Sequence, residues 1–96
     1  MENNYKLKII TDLEGDVRKD LYSQRRRGSE FKVLQCIEGC SGIFEYVKNN
    51  EGNLVEPSNE TMMVTSKIQE IKHRNNYLKV KTSRSVYYFR EVTDNE

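Results

Sequence analysis

Tyr77-Leu78-Lys79-Val80-Lys81-Thr82-Ser83-Arg84-Ser85-Val86-Tyr87-Tyr88-Phe89-Arg90-Glu91-Val92 is the stretch on which the reading of the fold turns. Leu78, Val80 and Thr82 alternate with Tyr77, Lys79 and Lys81, the period of a strand with one buried face. Ser83-Arg84-Ser85 is a short turn. The return strand carries Tyr87 and Phe89 on one face and Val86, Tyr88 and Val92 on the other. A lone hairpin is at best marginally stable in water, so these apolar faces must be covered by further strands.

The rest of the chain supplies them. Phe31 and Val33 alternate with Lys32, with Leu34 and Cys36 on the other face, as in a central strand. Glu38-Gly39-Cys40-Ser41-Gly42 is a turn with two glycines, and Ile43 to Lys48 is the strand that returns from it. Tyr5, Leu7 and Ile9 alternate with Lys6 and Lys8 and predict a first strand ending near Thr11-Asp12. Leu13 to Asp16 carries turn chemistry. The alternation from Val17 to Tyr22 favours a second strand and a hairpin; the rival is a helix with Asp16 as its N-cap and Val17 and Leu21 on one face. Ser23 to Ser29 reads as a polar loop. Asn49 to Glu60, with Glu51, Glu56, Glu60 and no basic residue, reads as a mobile acidic loop. In Met62 to Lys72, Val64 and Ile68 keep the even phase and Ile71 falls out of it, the mark of a β-bulge. His73 to Asn76 reads as a turn.

The sum is a single all-β domain over residues 1–96. It is an antiparallel meander, or partly closed barrel, of about five to seven short strands. Composition agrees: the 96 residues contain no Ala, the best helix former, and are rich in β-branched and aromatic side chains. A formal charge of +1 excludes a histone-like polycation and a wholly acidic nucleic-acid mimic. No apolar run reaches the roughly 18 residues of a membrane span and no signal-like segment follows Met1, so the expected location is the cytoplasm, away from membranes. Phe31–Ile37 and Val86–Val92 are apolar on both faces, which predicts a homo-oligomer with Tyr87 or Phe89 near the contact. Cys36 and Cys40 cannot assemble a four-ligand zinc site with His73 alone, and no secretion signal argues for a disulfide; no metal and no cofactor are expected.

One histidine, no nucleophile elbow and no Gly-rich phosphate loop argue against an enzyme. Binding chemistry is better represented. From Thr65 to Arg90 there are seven basic residues against Glu70 alone, interleaved with Tyr77, Tyr87, Tyr88 and Phe89. Guanidinium groups grip phosphate bidentately and rings stack on bases, so this pattern suits a nucleotide. Arg25-Arg26-Arg27-Gly28 is a second basic site. The candidate ligand-binding residues are therefore Arg25, Arg26 and Arg27 in the first place and Arg84, Ser85, Tyr87, Phe89 and Arg90 in the second. They lie far apart in sequence, and a meander that closes on itself or dimerises can bring them together.

The C-terminal third adds a resemblance. Thr65-Ser66-x-Ile68-x-x-Ile71, a turn, then Val80-x-Thr82-x-x-Ser85-x-Tyr87 resembles small bacteriophage proteins, among them the anti-Thoeris sponge family. Where that family's pattern has Asn before the Ser, this chain has Arg84. The resemblance implies an oligomer without catalysis that sequesters a cyclic ADP-ribose-type or other cyclic nucleotide immune signal. The alternative expectation is a protein- or nucleic-acid-binding inhibitor, such as an anti-CRISPR accessory protein.

Overall fold

In a computed structural model, which describes residues 3–56 and 61–93, six strands and one short helix follow one another. They are β1 (Tyr5–Thr11), α1 (Leu21–Arg26), β2 (Glu30–Gln35), β3 (Ser41–Lys48), β4 (Met62–Arg74), β5 (Tyr77–Thr82) and β6 (Val86–Glu91). Each strand pairs antiparallel with the next, and β6 returns to pair with β1, so the sheet is a closed barrel. Closure leaves no free edge to satisfy. The inward residues fill the interior: Leu7, Phe31, Phe44, Leu78, Val80 and Phe89 are all buried. Phe89 lies at the centre, stacked on Phe44 at 5.0 Å and edge-on to Phe31 at 6.3 Å.

A small barrel needs corners, and β4 makes the main one. Its first part pairs with β3, from Glu45↔Met62 to Ser41↔Lys67. From Ile68↔Thr82 onward it pairs with β5. The alternation along β4 slips twice. Met63 and Thr65 face inward and Val64 is 58% exposed, yet Ile68 is buried, so Val64 and Ile68 do not share a face as their even spacing predicts. The second slip, between Ile68 and Glu70, turns Ile71 towards the core. A bulge was expected here; the strand holds one more phase change than the sequence pattern shows. The Thr65 hydroxyl fixes the corner: it accepts from the Gly42 amide at 2.8 Å and donates to the Ser66 carbonyl at 2.8 Å.

Three local expectations are corrected. Val17–Tyr22 is neither the strand nor the Asp16-capped helix. Val17 makes a single bridge to Thr11, and α1 begins at Leu21, within the expected strand, and runs to Arg26 through the first part of the expected Ser23–Ser29 loop. The cause is Asp20, whose carboxylate accepts from the Ser23 amide (3.1 Å) and hydroxyl (2.8 Å) and so caps the helix. The helix ends where Gly28 takes φ +84, a conformation with no steric cost for glycine. His73 lies in β4 opposite Leu78, with Nε2 3.1 Å from the Tyr5 hydroxyl, and the turn is Asn75-Asn76 alone. The start of the acidic segment is ordered: the Asn49 side chain accepts from the Glu51 and Asn53 amides, and Leu54 bridges back to Lys48. Residues 57–60 of that segment lie outside the described residues.

Candidate functional site

The β5–β6 turn is built by Thr82. Its buried hydroxyl accepts from the Arg84 amide (3.2 Å) and the Ser85 amide (3.0 Å), and the Thr82 amide donates to the Ser85 carbonyl at 2.8 Å. This fixes where Arg84 and Ser85 leave the barrel. Arg18 reaches across to the same turn. Its Nε donates to the Ser85 hydroxyl at 2.8 Å and an Nη donates to the Arg84 carbonyl at 2.7 Å. Arg18 thereby ties the segment after β1 to the β5–β6 turn.

Helix α1 supplies the opposite wall. One turn of helix separates Tyr22 from Arg26, so they share a face, with the Arg26 guanidinium 6.0 Å from the Tyr22 ring centroid. The result is a cleft of about 310 Å³ lined by Ile10, Arg18, Asp20, Tyr22, Ser23, Arg26, Val64, Ser66, Arg84, Ser85 and Tyr87. That volume is at the lower end of small-molecule sites, roughly 300–1,000 Å³.

Charge in the cleft is three guanidinium groups against one carboxylate, Asp20. Hydrogen bonds from Ser23 hold the Asp20 carboxyl below its ordinary range, so it stays ionised and committed to the cap. Tyr87 is buried in the barrel wall. Burial pushes its hydroxyl up, while the Arg26 and Arg18 charges and the Ser85 hydrogen bond pull it back. Tyr46 behaves in the same way, raised by burial and drawn back by Arg26. Arg26 thus stands near a buried phenol (Tyr87), a half-buried one (Tyr46) and an exposed one (Tyr22), and lines the cleft.

The two expected sites therefore meet, but only in part. Arg26, Arg84, Ser85 and Tyr87 converge. Arg25 and Arg27 are not in the cleft lining: Arg25 precedes Arg26 in the helix and is rotated from it by about 100°, and Arg27 is the C-cap, with extended backbone, beside Leu7, Lys8 and Gly28. Phe89 is 1% exposed and fully committed to the core, so it offers no face to a ligand. Arg90 lies at the far end of β6, on the outer surface beside Lys6 and Tyr77. The exposed ring in the cleft is Tyr22, 69% accessible, and Val64 lines the same cleft.

Sequence reasoning missed Arg18, Asp20, Tyr22, Val64 and Ser66. Asp20 ahead of the Arg25–Arg27 run was a usable signal, since an acidic N-cap followed by a basic last turn is the charge pattern of a helix. Arg18 had none, because its role depends on a turn 66 residues away. The residues that carried the phage-protein resemblance have structural and site roles: Thr65 and Thr82 hold backbone, while Ser66, Ser85 and Tyr87 line the cleft. No family model, no curated protein and no solved structure matches this chain.

Proposed function

We propose that the protein binds and sequesters a small phosphate-bearing nucleotide in the Arg18–Arg26–Arg84 cleft without chemically changing it. The observation that carries this is the convergence of Arg26 from α1 with the Arg18-braced Arg84–Ser85 turn around a single cleft. Arg84 and Arg26 would take the phosphate, where planar guanidinium forks match its oxygens. Tyr22 would stack on the base, with Val64 as the apolar side of the slot; this replaces Phe89 and Tyr87 in that role. The cleft lining contains no histidine or cysteine, and its one carboxylate is occupied as a helix cap, which supports holding rather than turnover. The phage-protein resemblance extends the proposal to a cyclic nucleotide immune signal, such as a cyclic ADP-ribose isomer, in counter-defence. Self-association belongs to the same proposal and would use exposed Leu34 and Ile37, since Tyr87 and Phe89 face the interior.

Calorimetric titration of cyclic ADP-ribose isomers and cyclic oligonucleotides tests it. Arg84→Ala should weaken binding about 10- to 100-fold, the loss of one or two charge-assisted hydrogen bonds, at unchanged melting temperature. Arg84→Lys should recover only part, because lysine lacks the bidentate fork. Heat from no nucleotide, or equal affinity in wild type and Arg84→Ala, overturns the proposal.

A further inference from the structure

Arg27 leaves the helix that holds Arg25 and Arg26, and the backbone that follows it is tied to β1. The Gly28 amide donates to the Leu7 carbonyl at 2.7 Å, and the Leu7 amide donates to the Ser29 carbonyl at 2.9 Å. Arg27, the extended C-cap of α1, is thereby held beside Lys8. Lys8 in turn is displaced from the regular ladder. Leu7 stands opposite Phe89 and Ile9 opposite Tyr88, so β1 carries one extra residue at Lys8. A bulge of this kind re-aims the side chain that it carries.

The two cations share an open cavity of about 390 Å³, lined by Leu7, Lys8, Gln24, Arg27 and Gly28. The lining holds two positive charges, no carboxylate and no aromatic ring. Glu30, which follows the same turn, lines the adjoining cavity instead. It stands opposite Lys6 and Lys48 and accepts from the Asn4 side chain at 3.0 Å. Among the described residues, the Lys8 and Arg27 side chains have no hydrogen-bond or ion-pair partner. A basic residue at a helix C-terminus often serves the last carbonyls. Here Ser29 serves them: its amide donates to the Arg26 carbonyl and its hydroxyl to the Arg25 carbonyl, both at 3.1 Å. The Arg27 guanidinium is left over.

We propose that Arg27 and Lys8 form a second anion site, which takes the phosphate group of inorganic phosphate or of a phosphate monoester. The planar guanidinium fork holds two phosphate oxygens and the Lys8 ammonium a third. The chemistry differs from that of the cleft. A lining without a ring offers no plane for a base to stack on, so the site recognises the phosphate group alone. It stands whether or not the cleft binds a nucleotide, because Arg26 and Arg84 line the cleft and take no part here.

Nuclear magnetic resonance titration of the ¹⁵N-labelled protein with sodium phosphate, against sodium chloride at equal ionic strength, tests the proposal. Phosphate should shift the Lys8, Arg27 and Gly28 amides along a saturating curve, and chloride should not. Arg27→Ala and Lys8→Ala should each weaken that binding about tenfold, the loss of one charge-assisted hydrogen bond. Arg27→Lys should keep part of it, because the charge returns without the fork. Arg84→Ala should leave these shifts unchanged. Phosphoserine and adenosine 5′-monophosphate, added in place of inorganic phosphate, separate the sources, and at this site all three should bind within a few-fold of one another. Shifts that chloride reproduces, shifts confined to the Arg84–Ser85 turn, or wild-type affinity in Arg27→Ala overturn the proposal. So does a much tighter fit at this site for the nucleotide than for inorganic phosphate, which would mean that the base is read.

Discussion

Gly42 shows how much of the barrel rests on single atoms. It is buried in β3, where a Cβ would lie 2.7 Å from Phe44 Cε2 and 2.9 Å from Thr65 Oγ1. The first contact is core and the second is the hydroxyl that fixes the β4 corner, so neither neighbour can retreat cheaply. Gly42→Ala should therefore cost about 1–3 kcal/mol, the usual range for overpacking, measured by urea denaturation. Wild-type stability would mean that the corner tolerates movement. Thr82 is the counterpart at the other turn. One buried hydroxyl accepts two backbone amides, and an aliphatic replacement would strand both.

Helix α1 is the element that makes the cleft, and it is only six residues long. A helix of that length is unstable alone and depends on its cap and on tertiary contacts. Asp20→Ala should lose about 1 kcal/mol of stability, and Asp20→Asn should keep most of it, because asparagine also accepts from the N3 amide. Since Arg26 rides on the helix, the same change should loosen ligand binding more than it lowers the melting temperature suggests. The cap also has a pH signature. The folded Asp20 carboxyl is held below its ordinary value, so its contribution is present above the unfolded value of about 3.9 and is lost as pH falls through the folded one. Acid titration of Asp20→Asn should show a shallower loss over that window than wild type.

At the scale of the whole barrel, closure withdraws phenols from water, Tyr87 almost fully and Tyr46 in part. Tyr46 and Tyr87 both have hydroxyls raised by burial, only partly offset by Arg26. A group whose folded value is raised contributes stability that is fully present below its unfolded value, about 10 for tyrosine, and lost as pH rises through the folded value. The barrel should hold its stability up to about pH 10 and then lose it steeply, because unfolding releases phenols that ionise readily in water. Chemical denaturation at pH 8, 10 and 11 reads this directly; a flat profile would place both hydroxyls in contact with solvent. No described helix is long and apolar enough to cross a membrane.

The all-β class and most strand positions were legible in the sequence, because a two-residue alternation reports which face is buried and depends only on neighbours. Leu78, Val80 and Thr82 illustrate this: all three are buried, as their spacing predicts. The two basic sites were legible as charge, because charge runs are local. Closure of the barrel, the double slip in β4 and the choice of Arg26 over Arg25 and Arg27 were decided by tertiary structure. Each depends on partners distant in the chain: β6 on β1, Thr65 on Gly42, and Arg26 on the β5–β6 turn with which it shares the cleft. Phe89 was misread for the same reason. An aromatic residue in a basic stretch has one sequence pattern, whether its ring points to a ligand or, as here, to the centre of the barrel.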